Sequence, residues 1–265
     1  DITLGADIVT TRDWRWNVTV MGSTLKNKVL KLTGNGEDIV NGVYIIREGQ
    51  EINTFYMSKS AGVDPTTGEQ LYWAYEKNAD GSMKPGSEYV TNDATVAASC
   101  KYLQGSRIPD IYGSISSSLK FRGFDLGLLF TYSLGGKIYD SIYNALMEPS
   151  FVGQTYHRNA LRTWTAPGQR TDVPRTTTTA STQITDRYLI DASYFAVKNI
   201  SLGYSLPKQL LGKVGIESLR VYLAADSPWI FTHLKGMNPQ ASFTGSTSYS
   251  YTPNRTFTLG VDLKF

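Results

Sequence analysis

The last ten residues, Thr256 to Phe265, alternate strictly between apolar and polar or small side chains. The apolar positions are the odd ones: Phe257, Leu259, Val261, Leu263 and Phe265. A period of two gives a strand with one apolar and one polar face. About ten residues suffice for a tilted strand to cross a bilayer. The ending therefore predicts a wall strand of a β-barrel in an outer membrane.

Composition is compatible with that prediction. A mean hydropathy of -0.25 and 18% charged residues would suit a soluble protein, but only alternate residues of a barrel strand face lipid. No apolar run reaches the length of a transmembrane helix. The net charge of +3, without a basic run mixed with aromatics, argues against nucleic-acid binding. The single Cys100 excludes an internal disulfide framework and a cysteine-rich metal site.

The clearest predicted hairpin turns at Arg122-Gly123. Residues 111–121 place isoleucine, leucine and phenylalanine on one face and Ser114, Ser116, Ser118 and Lys120 on the other. Residues 124–132 repeat the pattern, with leucines and phenylalanines against Asp125, Gly127 and Thr131. Serine and glycine on the second face are too polar for a sandwich core, so this face is predicted to line a wet lumen.

About nine strands are predicted along the chain by this criterion, including Ile52–Met57 and Gln70–Tyr75. Their connections alternate short and long, as in outer-membrane barrels with short periplasmic turns and long outer loops. The short ones are Thr10–Asp13, Val63–Glu69, Arg122–Gly123 and Ser205–Ser218, and the long ones are Lys26–Gln50, Lys77–Pro109, Ser133–Ala192 and Ser227–Arg255. Helical spacing predicts short helices in the third long loop, at Lys137–Glu148 and Tyr156–Trp164.

The same count predicts two further features. Aromatic residues gather near the periplasmic rim and form a girdle: Trp14, Trp16, Phe121, Phe124, Tyr204 and Phe265. An odd number of strands also leaves two open edges, which are costly in lipid. We therefore expect the chain to be a piece of a longer barrel, completed by sequence upstream of Asp1 or by another chain.

Several segments resemble the SusC/RagA type of TonB-dependent outer-membrane transporter along most of the chain. The strongest signature is Tyr194–Pro207, reading YFAVKNISLGYSLP, continued by Leu219-Arg220-Val221-Tyr222. Similar segments are Ile46–Gln50, Ala61–Gly68, Arg107–Gly113 with Phe124-Asp125-Leu126, and Pro253–Gly260. One departure is Ala224–Trp229, where relatives usually carry a Gly-Gln-Asn-Leu-like stretch.

The resemblance implies a barrel of about 22 strands with an N-terminal plug, of which residues 1–265 are the C-terminal segment. It also implies energisation by the TonB complex and a SusD-like surface lipoprotein that closes over the outer mouth. Such pairs import glycans or peptides across the bacterial outer membrane. Membrane lipid would surround the wall. The plug, the N-terminal strands and the TonB-contact segment are not in this sequence.

The sequence offers little for catalysis. His157 and His233 both fall in predicted outer loops, where solvated side chains are expected, and no His/Cys/Glu spacing matches a metal site. Asp64 and Glu69 flank a loop that is better explained as an Asp-Pro turn than as a calcium site. Asp110, Asp125, Asp226 and Asp262 are attributed to lumen polarity. We predict no enzyme activity and no cofactor.

Five aromatic residues in the long loops are the candidate contacts for a ligand or for the lid: Tyr156, Trp164, Trp229, Phe231 and Tyr249. Packing within the loops is the competing explanation. Three function classes remain open: a nutrient importer, which the resemblance favours, a non-transporting adhesin or binding protein, and a barrel enzyme.

Overall fold

The computed structural model describes residues 1–34, 36–147, 153, 155–176, 183–211, 215–233, 238–241, 245–247 and 254–265. The described elements are β-strands with a few short helices, which confirms the predicted all-β class. The strands are β1 (Ile2–Thr10), β2 (Trp14–Ser23), β3 (Ile39–Asn41), β4 (Tyr44–Ile46), β5 (Thr54–Val63), β6 (Gln70–Ala74), β7 (Tyr89–Thr91), β8 (Lys101–Ser106), β9 (Ile111–Phe121), β10 (Phe124–Leu134), β11 (Lys137–Tyr139), β12 (Leu189–Asp191), β13 (Tyr194–Ser205), β14 (Ser218–Thr232) and β15 (Thr256–Lys264).

The described helices are few and short. They are α1 (Ala94–Ser99), α2 (Ser141–Met147), α3 (Lys208–Leu211) and the 3₁₀ turns Arg158–Arg162, Asp186–Tyr188 and Pro239–Ala241. In the described residues, none of these helices has the length and apolar character required to cross a bilayer. The helix predicted at Lys137–Glu148 begins later, because β11 occupies its first turn.

The main sheet has seven antiparallel strands in the order β1-β2-β9-β10-β13-β14-β15. The predicted count of about nine wall strands is therefore wrong. The two surplus strands, β5 and β6, lie in a second sheet with the order β3-β4-β5-β6-β7, and β8 also pairs with β5. Their sequences alternate as a wall strand does, but the tertiary fold pairs them locally within one long connection.

Connections in the main sheet keep the predicted rhythm. Links of two to twelve residues join β1 to β2, β9 to β10 and β13 to β14. Much longer segments join β2 to β9, β10 to β13 and β14 to β15. Antiparallel strands place these two kinds of connection at opposite ends of the sheet. Val63–Glu69 lies within one of the long connections, so its predicted place on the periplasmic side is wrong. Because β5 and β6 leave the wall as a pair, the predicted sides of all other connections are unchanged.

The two longest connections fold together at that end. Phe55 and Met57 of β5 pack in one buried cluster with Tyr139, Met147, Val173 and Tyr188 of the segment between β10 and β13. β11 pairs with β12 at the base of the latter segment. Because a shared hydrophobic core stabilises both segments, the long connections form a folded subdomain rather than independent loops. We call it the mouth subdomain.

β1 and β15 are the edges of the main sheet, and among the described strands each pairs with one neighbour. Both are long: the ladders run from Ile2 to Thr10 on β1 and from Thr256 to Lys264 on β15. The predicted pair of open edges is confirmed. An edge strand of this length presents a row of backbone groups that another strand can pair with.

Candidate functional site

Strand register sorts the side chains of the main sheet into two faces, because directly paired residues share a face. One row across the sheet is Val18, Ser117, Leu128, Ile200, Ala225 and Phe257. The neighbouring row on the other face includes Thr19, Ser116, Leu129 and Asn199. The predicted apolar face, with Leu126, Leu128, Phe130, Phe257, Leu259, Val261 and Leu263, and the predicted polar face, with Ser116, Lys120, Thr258 and Asp262, are both confirmed.

The apolar face is exposed in the part of the chain that the structure describes. Phe257, Leu259 and Val261 keep 72%, 71% and 60% of their surface accessible. A contiguous exposed apolar surface of this kind marks contact with a membrane or a partner. The alternation of apolar and polar faces over seven long strands is the pattern of a membrane barrel wall.

Aromatic rings border the apolar face at the end with short turns. Trp14 stacks on Phe121 with ring centroids 3.9 Å apart, and Phe124 contacts Tyr204 at 4.4 Å. These four residues occupy one row across β2, β9, β10 and β13. The arrangement agrees with the girdle that the sequence predicts, since such rings concentrate at membrane interfaces.

A second aromatic group borders the opposite end of the same face. Phe195 lies 5.5 Å from Phe130 and 6.4 Å from Phe231, measured between ring centroids. Trp229 and Phe231 pair with Val197 and Phe195 on β13, which places them on the apolar face. They are 53% and 62% exposed. The two aromatic rows are eight positions apart along β10, from Phe124 to Tyr132. For a tilted strand this corresponds to a height of roughly 20 Å.

Trp229 and Phe231 were predicted in an outer loop, and that placement is wrong. β14 continues to Thr232, past a bulge where Ser227 has a φ of 50° and Pro228 is fully buried. The proline and the adjacent serine resemble a turn in the sequence, but the strand resumes after the bulge. Their position on the apolar face favours an interfacial girdle over a lining of the mouth.

Trp164 lies within the mouth subdomain and contacts the turn between β5 and β6. Its indole Nε1 donates a hydrogen bond to the carbonyl oxygen of Pro65 at 3.0 Å. A Cβ at Gly68, where φ is +73°, would lie 2.4 Å from the ring. The half-buried indole therefore fastens the turn at residues 64–68 to segment 155–176. Packing explains this ring, and a contact with a ligand or a lid remains a prediction.

Tyr156 is half-buried in the same segment. The neighbouring His157, expected to be a solvated loop residue, instead accepts a hydrogen bond from the Asn159 N–H at 3.2 Å and packs edge-on against Tyr143. His157 thus caps the 3₁₀ turn Arg158–Arg162. His233 is exposed just after β14. Tyr249, the fifth candidate, lies outside the described residues.

The turn at Asp64 is a plain Asp-Pro turn, as predicted. The Asp64 carboxylate accepts a hydrogen bond from the Thr66 N–H at 2.7 Å, which holds the Asp64 pKa below its usual value. Glu69 pairs with Arg175 at 2.9 Å and accepts a hydrogen bond from Asn92. Both carboxylate oxygens of Glu69 are therefore engaged in contacts that hold the β5–β6 hairpin in place. Among the residues that the structure describes, no cluster of His, Cys, Asp and Glu could hold a metal.

The polar face carries an ionic network at the short-turn end. Arg220 on β14 binds Asp125 on β10 through two nitrogens, at 2.6 and 3.0 Å, and Asp262 on β15 at 3.2 Å. A Cβ at Gly203 on β13 would lie 2.6 Å from both side chains. Glycine is therefore what allows the guanidinium to cross β13. The network links β10, β14 and β15 across β13 and explains two of the four aspartates noted in the sequence.

The other two aspartates also have structural roles or surroundings. Asp226 accepts a hydrogen bond from Asn199 across the β13–β14 pair at 2.7 Å. Asp110 lies against Gly135, where a Cβ would be 2.1 Å from its carboxylate. The four aspartates do not converge on one point, so no acid and base pair is assembled from them.

At the long-connection end, the segment between β14 and β15 touches the polar face. Gln240 accepts a hydrogen bond from Lys198 at 2.7 Å and donates one to Thr131 at 3.3 Å. Arg107 donates to the carbonyl of Pro239 at 3.0 Å. The backbone at Tyr139 bonds with residues 245 and 247 of the same segment. Described parts of this last connection are thus fastened inward, to the wall and to the mouth subdomain.

Comparisons with known proteins agree with this geometry. The chain is 28% identical to TonB-dependent receptor P3 of Formosa agariphila over 97% of the chain and 27% of that receptor. It is 24% identical to TonB-dependent receptor SusC of Bacteroides thetaiotaomicron over the whole chain and 26% of SusC. The chain therefore spans about a quarter of the length of these relatives. No protein-family model matches it.

Solved structures give the same result. The structure of the RagAB peptide importer in the closed-closed state matches 99% of this chain, with a TM-score of 0.85 and 26% identity. The match covers 29% of the importer chain. The open-open state of the same importer matches with a TM-score of 0.78. In sequence and in fold, this chain is therefore similar to the SusC-type TonB-dependent receptors and to the RagAB peptide importer.

Proposed function

We propose that this chain forms part of the wall and of the mouth of an active importer in the bacterial outer membrane. The observation that carries the proposal is the seven-stranded sheet with one apolar and one polar face and with all long connections at one end. Its agreement with the RagAB peptide importer over 99% of the chain supports the same function. The polar face would line the lumen, and the mouth subdomain would face the cell exterior.

In this proposal, residues 1–265 are the C-terminal segment of the barrel. Strands from the rest of the protein pair with β1 and β15, because an unpaired edge in lipid leaves backbone groups unsatisfied. A plug inside the lumen and the contact with TonB belong to the remaining part of the protein. The length of the relatives, of which this chain covers about a quarter, supports the proposal.

The proposed cargo is a glycan or a peptide, delivered with a SusD-like surface lipoprotein that covers the mouth. The resemblance to SusC and to the RagAB peptide importer supports this pairing and this range of substrates. A folded mouth subdomain with its own core is larger than a connection between strands requires, and structured long loops are usually functional.

Two other classes of function are alternatives to the importer. A non-transporting adhesin or binding protein would use the same exposed mouth without moving a substrate inward. An enzyme would need convergent catalytic groups, whereas Asp125 and Asp262 are both paired with Arg220 and His157 caps a 3₁₀ turn. The relatives named above are receptors and importers, which also favours a protein that is not an enzyme.

Import can be tested in the producing bacterium by deleting the gene and restoring it. We expect the deletion strain to lose uptake of a labelled peptide or oligosaccharide pool and the restored strain to regain it. A restored strain that is also deprived of TonB should behave like the deletion strain. Unchanged surface binding in the strain without TonB, together with no uptake in any strain, would identify an adhesin instead.

The proposed lid contact of Trp164 and Trp229 can be tested, in the full-length protein, against the packing and girdle roles described above. If either ring anchors the lipoprotein, truncation to alanine should weaken lid binding by more than about 1 kcal/mol and reduce uptake. The measurement is a pull-down of the lipoprotein, with uptake assayed in parallel, using variants that insert normally. Full lid binding and full uptake by both Trp164→Ala and Trp229→Ala would show that the first ring packs the turn at 64–68 and the second serves the girdle.

A further inference from the structure

A lysine on the mouth subdomain lies between two aromatic rings. Lys59 is on β5, between β6 and β8 in the second sheet. Its Nζ lies 5.6 Å from the ring centroid of Trp73 on β6 and 5.5 Å from that of Tyr102 on β8. Both distances are within the range of cation–π attraction. The ammonium group is therefore held from two sides by rings on the two neighbouring strands.

This arrangement lies on the less buried face of β6. Along β6 the side chains of Gln70, Tyr72 and Ala74 are buried, whereas Trp73 between them is only half-buried. Lys59 pairs directly with Trp73, so both lie on the same face. Lys59 and Tyr102 are half-buried as well. All three side chains therefore keep part of their surface exposed to solvent.

The charge of Lys59 is not neutralised by an ion pair within the described part of the chain. Other cations of the mouth subdomain do have carboxylate partners, such as Lys84 with Glu76 and Arg175 with Glu69. Burial, and then the nearby Glu88 carboxylate, raise the pKa of the Tyr102 hydroxyl. Glu88 is not paired with Lys59 among the described ion pairs.

An aromatic face attracts a cation, but it does not accept conventional hydrogen bonds from an ammonium group as a carboxylate does. The three N–H donors of Lys59 therefore remain available toward solvent. The two rings also restrict the Lys59 side chain before a ligand arrives. Binding a ligand therefore costs less side-chain entropy than it would for a freely moving lysine. A positioned cation with available donors is suited to a carboxylate.

We propose that Lys59, positioned by Trp73 and Tyr102, binds a carboxylate group of the substrate at the mouth. The proposal rests on the importer function and adds a substrate preference to it. A carboxylate is offered equally by a uronic-acid oligosaccharide and by an acidic peptide, and the experiment separates these sources. A neutral oligosaccharide has no group for this site.

Binding can be measured without transport, by titrating the full-length protein in detergent with three probes: an oligogalacturonate, a glutamate-rich peptide and a neutral maltooligosaccharide. We expect at least one carboxylated probe to bind and Lys59→Met to weaken it by about tenfold or more, the value of a charged hydrogen bond. Lys59→Met keeps most of the stem that packs on the rings. Added salt should weaken binding to the wild type and leave the variant nearly unaffected.

Lys84→Met is the matched control, because it removes one positive charge from the same subdomain at a lysine that is already paired with Glu76. It should leave the affinity within about twofold, as expected for an exposed ion pair. Lys59→Arg should retain binding. Equal weakening by Lys84→Met, unchanged affinity in Lys59→Met, or no binding of either carboxylated probe would overturn the site while leaving the uptake test of the importer intact.

Discussion

Placing arginine at Leu128 should destabilise the protein in lipid by about 2–4 kcal/mol, the cost of a charge on the lipid face near the bilayer midplane. Leu128 is in the apolar row midway between Phe124 and Tyr132, which belong to the two aromatic borders. The free energy of unfolding would be measured by denaturant titration of the full-length protein in lipid vesicles.

Ser116→Arg is the control for this substitution. Ser116 lies on the adjacent strand β9 and on the polar face, directly paired with Thr19 and Leu129. Arginine there faces the lumen, so we expect a change of less than about 1 kcal/mol. Equal destabilisation by the two arginines would contradict the assignment of the faces.

Gly113→Ala should cost about 3 kcal/mol, at the upper end of the range for overpacking. A Cβ at Gly113 would lie 1.9 Å from the backbone oxygen of Met21 and 2.8 Å from the hydroxyl of Tyr132. The Tyr132 hydroxyl donates to that same oxygen of Met21 at 3.0 Å, across the glycine. Alanine would separate β2 from β9 and break this bond, because backbone cannot move aside as a side-chain end can.

Gly22→Ala is the comparison, since Gly22 pairs directly with Gly113. Its Cβ would meet the Tyr132 hydroxyl at 3.3 Å, and that flexible group can move by a few tenths of an ångström. We expect less than about 1 kcal/mol from this substitution. The same vesicle titration applies, and equal effects of the two alanines would show that the contact between Gly113 and Met21 does not limit packing.

Local patterns in the sequence were sufficient to predict the wall strands that alternate cleanly. The hairpin at Arg122-Gly123, the faces of β15 and the girdle at Trp14 and Phe121 all follow from a period of two and a tight turn. Each of these depends on neighbours in sequence or on one ladder, and register transmits the pattern to the next strand.

Prediction failed where two folds share one local pattern. β5 and β6 alternate as wall strands do, but β5 shares a core with Tyr139 and Tyr188, and β6 pairs with β5. These tertiary contacts assign both strands to the mouth subdomain. The bulge at Ser227 and Pro228 resembled the start of a loop, so Trp229 and Phe231 were assigned to the wrong element. Neither case is decided by local propensity, because tertiary pairing overrides it.

The candidate site was less predictable still. Trp164 was recognised as a loop aromatic, but its packing against Gly68 joins residues 96 positions apart in sequence. Lys59, Trp73 and Tyr102 come from three strands, and no spacing in the sequence brings them together. The sequence offered only a tryptophan within the predicted strand Gln70–Tyr75, and its role became visible when the structure placed β8 beside β5.

A nitroxide scan along β15 tests the central claim most directly, namely that the apolar face of the main sheet contacts lipid. Single cysteines at positions 257 to 264, in the full-length protein with Cys100 replaced by alanine, would be spin-labelled in lipid vesicles and their oxygen exposure measured. We predict high oxygen exposure at Phe257, Leu259, Val261 and Leu263 and low exposure at the positions between them. Equal exposure at all positions, or a maximum at Thr258 and Asp262, would contradict the account.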